Sequence, residues 1–144
     1  MQIQALPSLV LTSKDEERLG ALLHHGYRGD LRGCSPAVLD FLSKELARAD
    51  VVDPRLVPPD VVTMNSRVLY SDDQRGIRRE VTLVYPGAEK NGQGKISVLS
   101  SIGSALIGLS EGQSLSWLLP DEPWRTVSVH AVTYQPEANG RFAV

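Results

Sequence analysis

The 144-residue sequence has one cysteine, few aromatic residues and no long apolar run. The single thiol, Cys34, cannot form an intramolecular disulfide, and a lone cysteine is typical of a reducing cytoplasm. No stretch approaches the roughly 20 consecutive apolar residues that a membrane-spanning helix needs. The first residues show neither a basic start nor a small-residue cleavage pattern, so they do not predict a secretory signal. We therefore expect a cytoplasmic protein without a membrane partner.

The sequence also lacks a strong charge and the common catalytic motifs. Its formal net charge of -2 argues against nonspecific nucleic-acid binding, which depends on neutralising phosphates. The glycines at Gly92 and Gly94 precede a predicted strand, whereas a phosphate-binding loop precedes a helix. His24 and His25 are adjacent, so on a helix their side chains point about 100° apart and do not favour a shared metal. We expect no catalytic residue, metal, cofactor or small-molecule substrate.

Residues 1–50 predict a short coiled-coil hairpin of two antiparallel helices. Ser13 begins the pattern S-K-D-E, typical of a capping box in which Glu16 reaches back to the cap. Gly26 is predicted to end this helix, and Ser35-Pro36 to begin the next one. Apolar residues recur on one face of each helix: Leu19, Leu22 and Leu23 in the first, and Val38, Leu39, Leu42, Leu46 and Ala49 in the second.

Residues 51–60 predict a stiff linker, because they contain three prolines and proline interrupts helices and central strands. The remaining domain, 61–144, is predicted to be rich in strands. Alternating apolar and polar residues indicate strands over 62–70, 79–85 and 115–119, and a last strand from 127. In the last strand the alternation slips at Ala131-Val132, which predicts a β-bulge.

The segment Ile96 to Leu109 predicts one short helix packed against that sheet. Ile96 and Val98 end a strand, and Ser100 or Ser101 can cap a helix. The apolar residues that follow are spaced as on one helical face: Ile102, Ala105, Leu106 and Leu109. Small residues between them allow close packing. The predicted fold class is α+β, a helical hairpin followed by an antiparallel β-sheet with one short helix.

Four segments resemble a known family. The string ISVLSSIGSALIGLSEGQSLSW, which begins at Ile96, resembles the hallmark of the C-terminal domain of the Gre transcript-cleavage factors, an FKBP-like fold. Three further strings narrow the resemblance to the nucleoside diphosphate kinase regulator family: DVVTMNSRV (60–68), LVYP (83–86) and VTYQPE (132–137). These regulators look like Gre factors with a shortened hairpin. The resemblance implies a transcription regulator that binds RNA polymerase at the rim of its secondary channel and affects nucleoside diphosphate kinase levels.

The resemblance also implies a role for the hairpin tip. In the Gre factors acidic residues at the tip help to hold a catalytic magnesium ion. The string GDLR resembles that tip, with Asp30 at the first acidic position and Gly33 at the second. One carboxylate between Arg28 and Arg32 is a poor ligand set for a cation that prefers several oxygens. We therefore expect polymerase binding without stimulated transcript cleavage, and competition with Gre factors. Nucleic acid is then nearby only through polymerase.

A polymerase-docking segment is implied at the start of the short helix. In the Gre factors a polar-proline motif there contacts polymerase, and its acidic and proline members are missing from this sequence. The corresponding residues are Leu99, Ser100, Ser101 and Ile102. The alternative interpretation of the two serines is a plain helix cap.

Two other functions remain open from the sequence. An FKBP-like fold with Trp117 and Trp124 lining a pocket would suit a peptidyl-prolyl isomerase, although aromatic residues are scarce. A general adaptor domain that binds some other cytosolic protein is the third possibility.

Overall fold

The computed structural model describes residues 2–3, 7–29, 34–73, 75–118 and 124–144. Its helices are α1 (Ser13–Tyr27), α2 (Pro36–Arg48) and α3 (Ser101–Leu106). Its strands are β1 (Gln2–Ile3), β2 (Val10–Thr12), β3 (Asp50–Val52), β4 (Arg67–Asp72), β5 (Ile77–Val84), β6 (Lys95–Ser97), β7 (Ser114–Leu118) and β8 (Arg125–Tyr134). The predicted α+β class is confirmed. Within the described ranges, no helix has the length and apolar character needed to cross a bilayer.

Six of these strands form one sheet in the order β1-β7-β8-β4-β5-β6. Neighbouring strands are antiparallel except β5 and β6, which are parallel. The prediction of an antiparallel sheet is therefore wrong at this edge. The chain between β5 and β6 contains a 3-10 helix, Ala88–Asn91. It turns back far enough for Lys95 to lie beside Thr82, so that β6 runs parallel to the last three residues of β5.

The predicted bulge in β8 is confirmed. The register between β4 and β8 shifts twice, and the extra residues are His130 and Thr133, on either side of Ala131-Val132. An extra residue bends a strand and increases its twist. The two bulges therefore curl the sheet along its longest strand.

The predicted strand over 62–70 is wrong in its first half, because β4 begins only at Arg67. Residues 63–66 form a tight turn in which Asn65 has a positive φ of 68° and the Ser66 amide donates to the Thr63 carbonyl. The Thr63 amide donates to Ser66 Oγ at 3.0 Å. A hydroxyl thus satisfies the buried Thr63 amide locally, while the Asn65 amide and the Ser66 carbonyl still bond to Leu83 of β5. Alternation alone does not reveal such a local bond.

The hairpin helices begin close to their predicted positions. α1 is capped by Thr12 rather than Ser13, since Thr12 has extended backbone angles and its Oγ1 accepts from the Asp15 amide. α1 also continues through Gly26 to Tyr27. α2 begins as predicted, with Ser35 at the cap and Pro36 in the first turn.

The hairpin and the sheet share one hydrophobic core. The predicted linker starts within β3, which pairs in parallel with β2, and continues as the 3-10 helix Pro54–Leu56. Completely or nearly completely buried side chains from both parts meet in a single cluster that includes Leu19, Phe41, Leu42, Val68, Leu83, Leu106 and Trp117. The position of the hairpin on the sheet is therefore determined by packing as well as by the connecting residues.

Candidate functional site

The predicted hairpin tip is described only in part. Arg28 is exposed directly after α1, and its backbone N–H donates to the carbonyl of His24. Asp30 and Arg32 lie outside the described residues, so their roles stay predictions. In the described ranges, no three His, Cys, Asp or Glu residues are grouped so that they could hold a metal ion.

The predicted docking residues lie together in a loop between β6 and α3. Ser100 caps α3: its Oγ accepts from the Gly103 amide at 3.0 Å and donates to the Ser97 carbonyl at 2.6 Å. The Leu99 amide donates to Ser97 Oγ at 3.1 Å. The helix-cap interpretation of Ser100 is therefore correct, and its hydroxyl is engaged within the loop.

The other three predicted residues form the half-exposed surface of this loop. Leu99 and Ile102 are half-buried and pack against the core with part of each side chain. Ser101 is also half-exposed, and its carbonyl accepts from Ser104 Oγ. We call Leu99, Ser101 and Ile102 the docking loop surface. It presents parts of two aliphatic side chains and one hydroxyl at the start of α3.

The docking loop can close in this way because residue 103 is glycine. A Cβ at Gly103 would overlap the Ser97 carbonyl oxygen and lie 2.9 Å from Ser100 Oγ. Real Cβ atoms are not found so close to backbone atoms, so a larger residue would push the loop away from β6. The prediction that small residues permit close packing of this helix is confirmed at Gly103.

A second group of polar residues was not predicted from the sequence. It lies where the start of α1 meets the sheet, and we call it the joint cluster: Asp15, Thr63, Ser66, Tyr85 and Glu137. Asp15 Oδ2 accepts from the Met64 amide at 3.1 Å. Glu137 Oε1 accepts from Thr63 Oγ1 at 2.7 Å, and Thr63 Oγ1 lies 2.8 Å from Ser66 Oγ.

Burial controls the electrostatics of the joint cluster. Asp15 is 1% exposed, and desolvation of its charged form raises the pKa of its carboxyl from 3.8 to about 6. The Met64 amide partly opposes this shift, whereas the charge of Glu137 adds to it. Burial also raises the pKa of the Tyr85 hydroxyl, with Asp15 adding to that shift and Arg18 opposing it.

The signal that would have found the joint cluster was already in the sequence motifs. Thr63 and Ser66 belong to DVVTMNSRV, Tyr85 to LVYP and Glu137 to VTYQPE. These strings carry the family resemblance, but the sequence does not show that their polar members meet around Asp15. The polar members of these three strings therefore come together at one place in the fold.

A serine, a histidine and an aspartate near the β4–β8 pair have the wrong hydrogen-bond directions for nucleophilic catalysis. Ser71 Oγ donates to Asp73 Oδ1 at 2.8 Å and lies 2.9 Å from His130 Nε2. Arg78 lies 3.3 Å from His130 Nδ1 and can only donate, so Nδ1 accepts and Nε2 carries the proton. A general base must instead accept the hydroxyl proton, as in nucleophilic catalysis by serine. This cluster is a structural network.

Comparisons with known proteins first define the class of the sheet domain. Residues 57–134 match the family model described as transcription elongation factor, GreA/GreB, C-term, and residues 7–52 match Rnk N-terminus. A solved prokaryotic transcription elongation factor GreA/GreB from Nitrosomonas europaea superposes with a TM-score of 0.66 at 40% identity, covering 90% of this chain and all of that one. The sheet domain is therefore of the GreA/GreB class.

The whole chain resembles a narrower group. It is 37% identical over 136 residues to the regulator of nucleoside diphosphate kinase of Escherichia coli K12, covering 94% of this chain and 96% of that protein. It is 26% identical over 117 residues to the transcription elongation factor GreA of Desulfovibrio desulfuricans, covering 79% of this chain and 72% of that protein. The chain belongs to the family of regulators of nucleoside diphosphate kinase, and the resemblance predicted from its sequence motifs is confirmed.

Proposed function

We propose that this protein is a transcription regulator that binds RNA polymerase through the docking loop surface. The observation that carries the proposal is the shape of this loop, held by Ser100 and Gly103 at the start of α3, within the residues that match the GreA/GreB C-terminal family model. Membership of a family with relatives named as transcription elongation factors supports polymerase as the partner. We propose binding in the cytoplasm at the rim of the secondary channel, by a domain of FKBP-like arrangement.

We further propose that the protein does not stimulate transcript cleavage, competes with Gre factors and thereby affects nucleoside diphosphate kinase levels. α1 has 15 residues and α2 has 13, so at about 1.5 Å per residue each helix is about 20 Å long. Helices of this length suit the mouth of a channel rather than its far end. The isomerase alternative gains no support, because Trp117 is completely buried and cannot line an open pocket.

Ser101→Arg is expected to weaken retention on core RNA polymerase by about tenfold or more, because a long cation would stand between two aliphatic contacts. Retention is measured by pull-down, with and without a Gre factor as competitor, after circular dichroism has verified the fold. Ala138→Arg is the matched control, since it adds the same charge at an exposed position of the C-terminal segment. If wild-type protein is not retained at micromolar concentrations, or if both variants bind equally well, the proposal fails.

Addition of the protein to stalled transcription complexes is expected to leave the rate of transcript cleavage unchanged. One tip carboxylate flanked by arginines supplies too few oxygens for a magnesium ion. The measurement is the release of cleaved transcript, with a Gre factor as the positive control. Strong stimulation by the wild type that disappears in Asp30→Ala would contradict the proposal.

A further inference from the structure

The joint cluster contains two buried carboxyl groups that lack a full set of hydrogen bonds. Asp15 is 1% exposed and Glu137 is 6% exposed. In each group one oxygen accepts a hydrogen bond, from the Met64 amide or from Thr63 Oγ1. The other oxygen, Asp15 Oδ1 or Glu137 Oε2, is buried with no partner at ordinary hydrogen-bond geometry, although the hydroxyls of Thr12 and Tyr85 interact with Asp15. A buried carboxylate is costly unless its oxygens are satisfied, so this environment favours the neutral form of Asp15.

The groups that face Asp15 do not supply a compensating cation. Glu137 faces it from the C-terminal segment with a like charge, and Tyr85 faces it from the end of β5. The Tyr85 hydroxyl is itself buried and interacts with Asp15 and Arg18, although it reaches ordinary hydrogen-bond geometry with neither of them. Lys14 acts on Asp15 from the same helix, and Arg18 acts on Tyr85, but among the described residues no ion pair joins either carboxyl to a cation.

The same carboxyl groups connect three parts of the chain. Asp15 lies in the first turn of α1, and its bond to the Met64 amide attaches the hairpin to the turn at 63–66. Glu137 attaches the C-terminal segment to that turn through Thr63. A change in charge at Asp15 therefore acts directly on the contact between the hairpin and the sheet.

We propose that Asp15 is a proton-binding residue that couples pH to how tightly the helical hairpin is held on the sheet. The protonated carboxyl fits the buried site and closes the joint. The ionised carboxyl is repelled by Glu137 and draws water toward the joint, which loosens it. This role is independent of polymerase binding, although any partner that contacts both the hairpin and the sheet would sense it.

The direction of the pH effect follows from the shift at Asp15. Its pKa is raised by folding from 3.8 to about 6, so the folded state binds the proton more strongly than the unfolded state. The resulting stabilisation is complete below about pH 3.8 and is lost as the pH rises through about 6. The joint is therefore expected to tighten when the pH falls from 7.5 toward 5.5.

A carbon-13 NMR titration of the Asp15 carboxyl tests the proton directly. We expect the Asp15 carboxyl signal to titrate with a midpoint near pH 6. The amide signal of Met64, which donates to this carboxyl, is expected to shift with the same midpoint. Glu137→Gln is expected to lower the midpoint while leaving it above the ordinary value, because burial is the larger cause. Asp40→Asn, at an exposed ion pair on α2, is the matched control and is expected to change nothing. A midpoint near 4 in the wild type, or no shift in Glu137→Gln, overturns the proposal.

A distance measurement tests the mechanical consequence. Spin labels are placed on cysteines introduced at two exposed residues, Ala47 on α2 and Glu80 on β5, in a Cys34→Ser background. We expect the distance distribution to broaden between pH 5.5 and 7.5 in protein with native Asp15. In Asp15→Asn, which mimics the neutral carboxyl, it is expected to stay narrow at both pH values. Equal broadening with and without Asp15, or no broadening in either, means that Asp15 does not control the joint.

Discussion

Gly103→Ala is expected to destabilise the protein by about 3 kcal/mol and to abolish its retention on RNA polymerase. The added Cβ would overlap the Ser97 carbonyl oxygen, which is backbone and cannot rotate away as a side chain can. The start of α3 would therefore move from the end of β6 and carry the docking loop surface with it. Urea unfolding measures the loss of stability, and polymerase pull-down of the folded protein measures the loss of docking.

Gly20→Ala is the matched control for this substitution. Gly20 lies within α1, and a Cβ there would meet nothing within 4 Å. Since alanine is the better helix former, this variant is expected to gain about 0.5–1 kcal/mol and to bind polymerase normally. A Gly103→Ala protein as stable as the wild type would show that the loop can relax without loss, and the docking interpretation of its shape would then be wrong.

Arg48→Ala is expected to cost about 3–5 kcal/mol, because it leaves a buried carboxylate without its counterion. Glu45 is 2% exposed, and Arg48 donates to both of its oxygens, at 2.9 and 2.8 Å. Arg48 also donates to the Pro7 carbonyl at 2.7 Å, so it joins α2 to the segment before β2. The free energy of unfolding in urea at pH 7 measures this effect.

Two further variants separate charge burial from the loss of a side chain. Lys44→Ala removes an exposed ion pair with Asp40 on the same helix and is expected to cost less than about 0.5 kcal/mol. Adding Glu45→Gln to Arg48→Ala removes the uncompensated charge and is expected to recover part of the stability. If Arg48→Ala and Lys44→Ala lower the free energy of unfolding by the same amount, a buried charge pair with Arg48 does not stabilise Glu45.

Much of the hairpin was predictable because its signals are local. Two adjacent residues, Ser35 and Pro36, are enough to predict the start of α2. Helical spacing identifies Leu39 and Leu42 as buried. Glu45 was missed for a physical reason: a glutamate in a helix is normally solvated. It lies on the buried face only because Arg48, one turn later, satisfies both of its oxygens.

The strand pattern at 62–66 failed because alternation reports burial rather than hydrogen bonding. Val62, Met64 and Ser66 are buried as the alternation requires, but Thr63 on the opposite face is buried as well. The hydroxyls of Thr63 and Ser66 close a turn through Asn65 instead of continuing a strand. The β-bulge was predictable at Ala131-Val132 because a bulge changes the phase of the alternation itself.

By itself the sequence determined the α+β class, the starts of the helices and the family, because caps, periodicity and motif strings act over short stretches of chain. Only the tertiary structure decided how the polar motif residues are used. Asp15 lies 49 residues before its partner Met64, and Thr63 lies 74 residues before Glu137. Packing the hairpin on the sheet removes these groups from water, and that burial turns an ordinary first-turn aspartate into the proton-binding residue of the joint cluster.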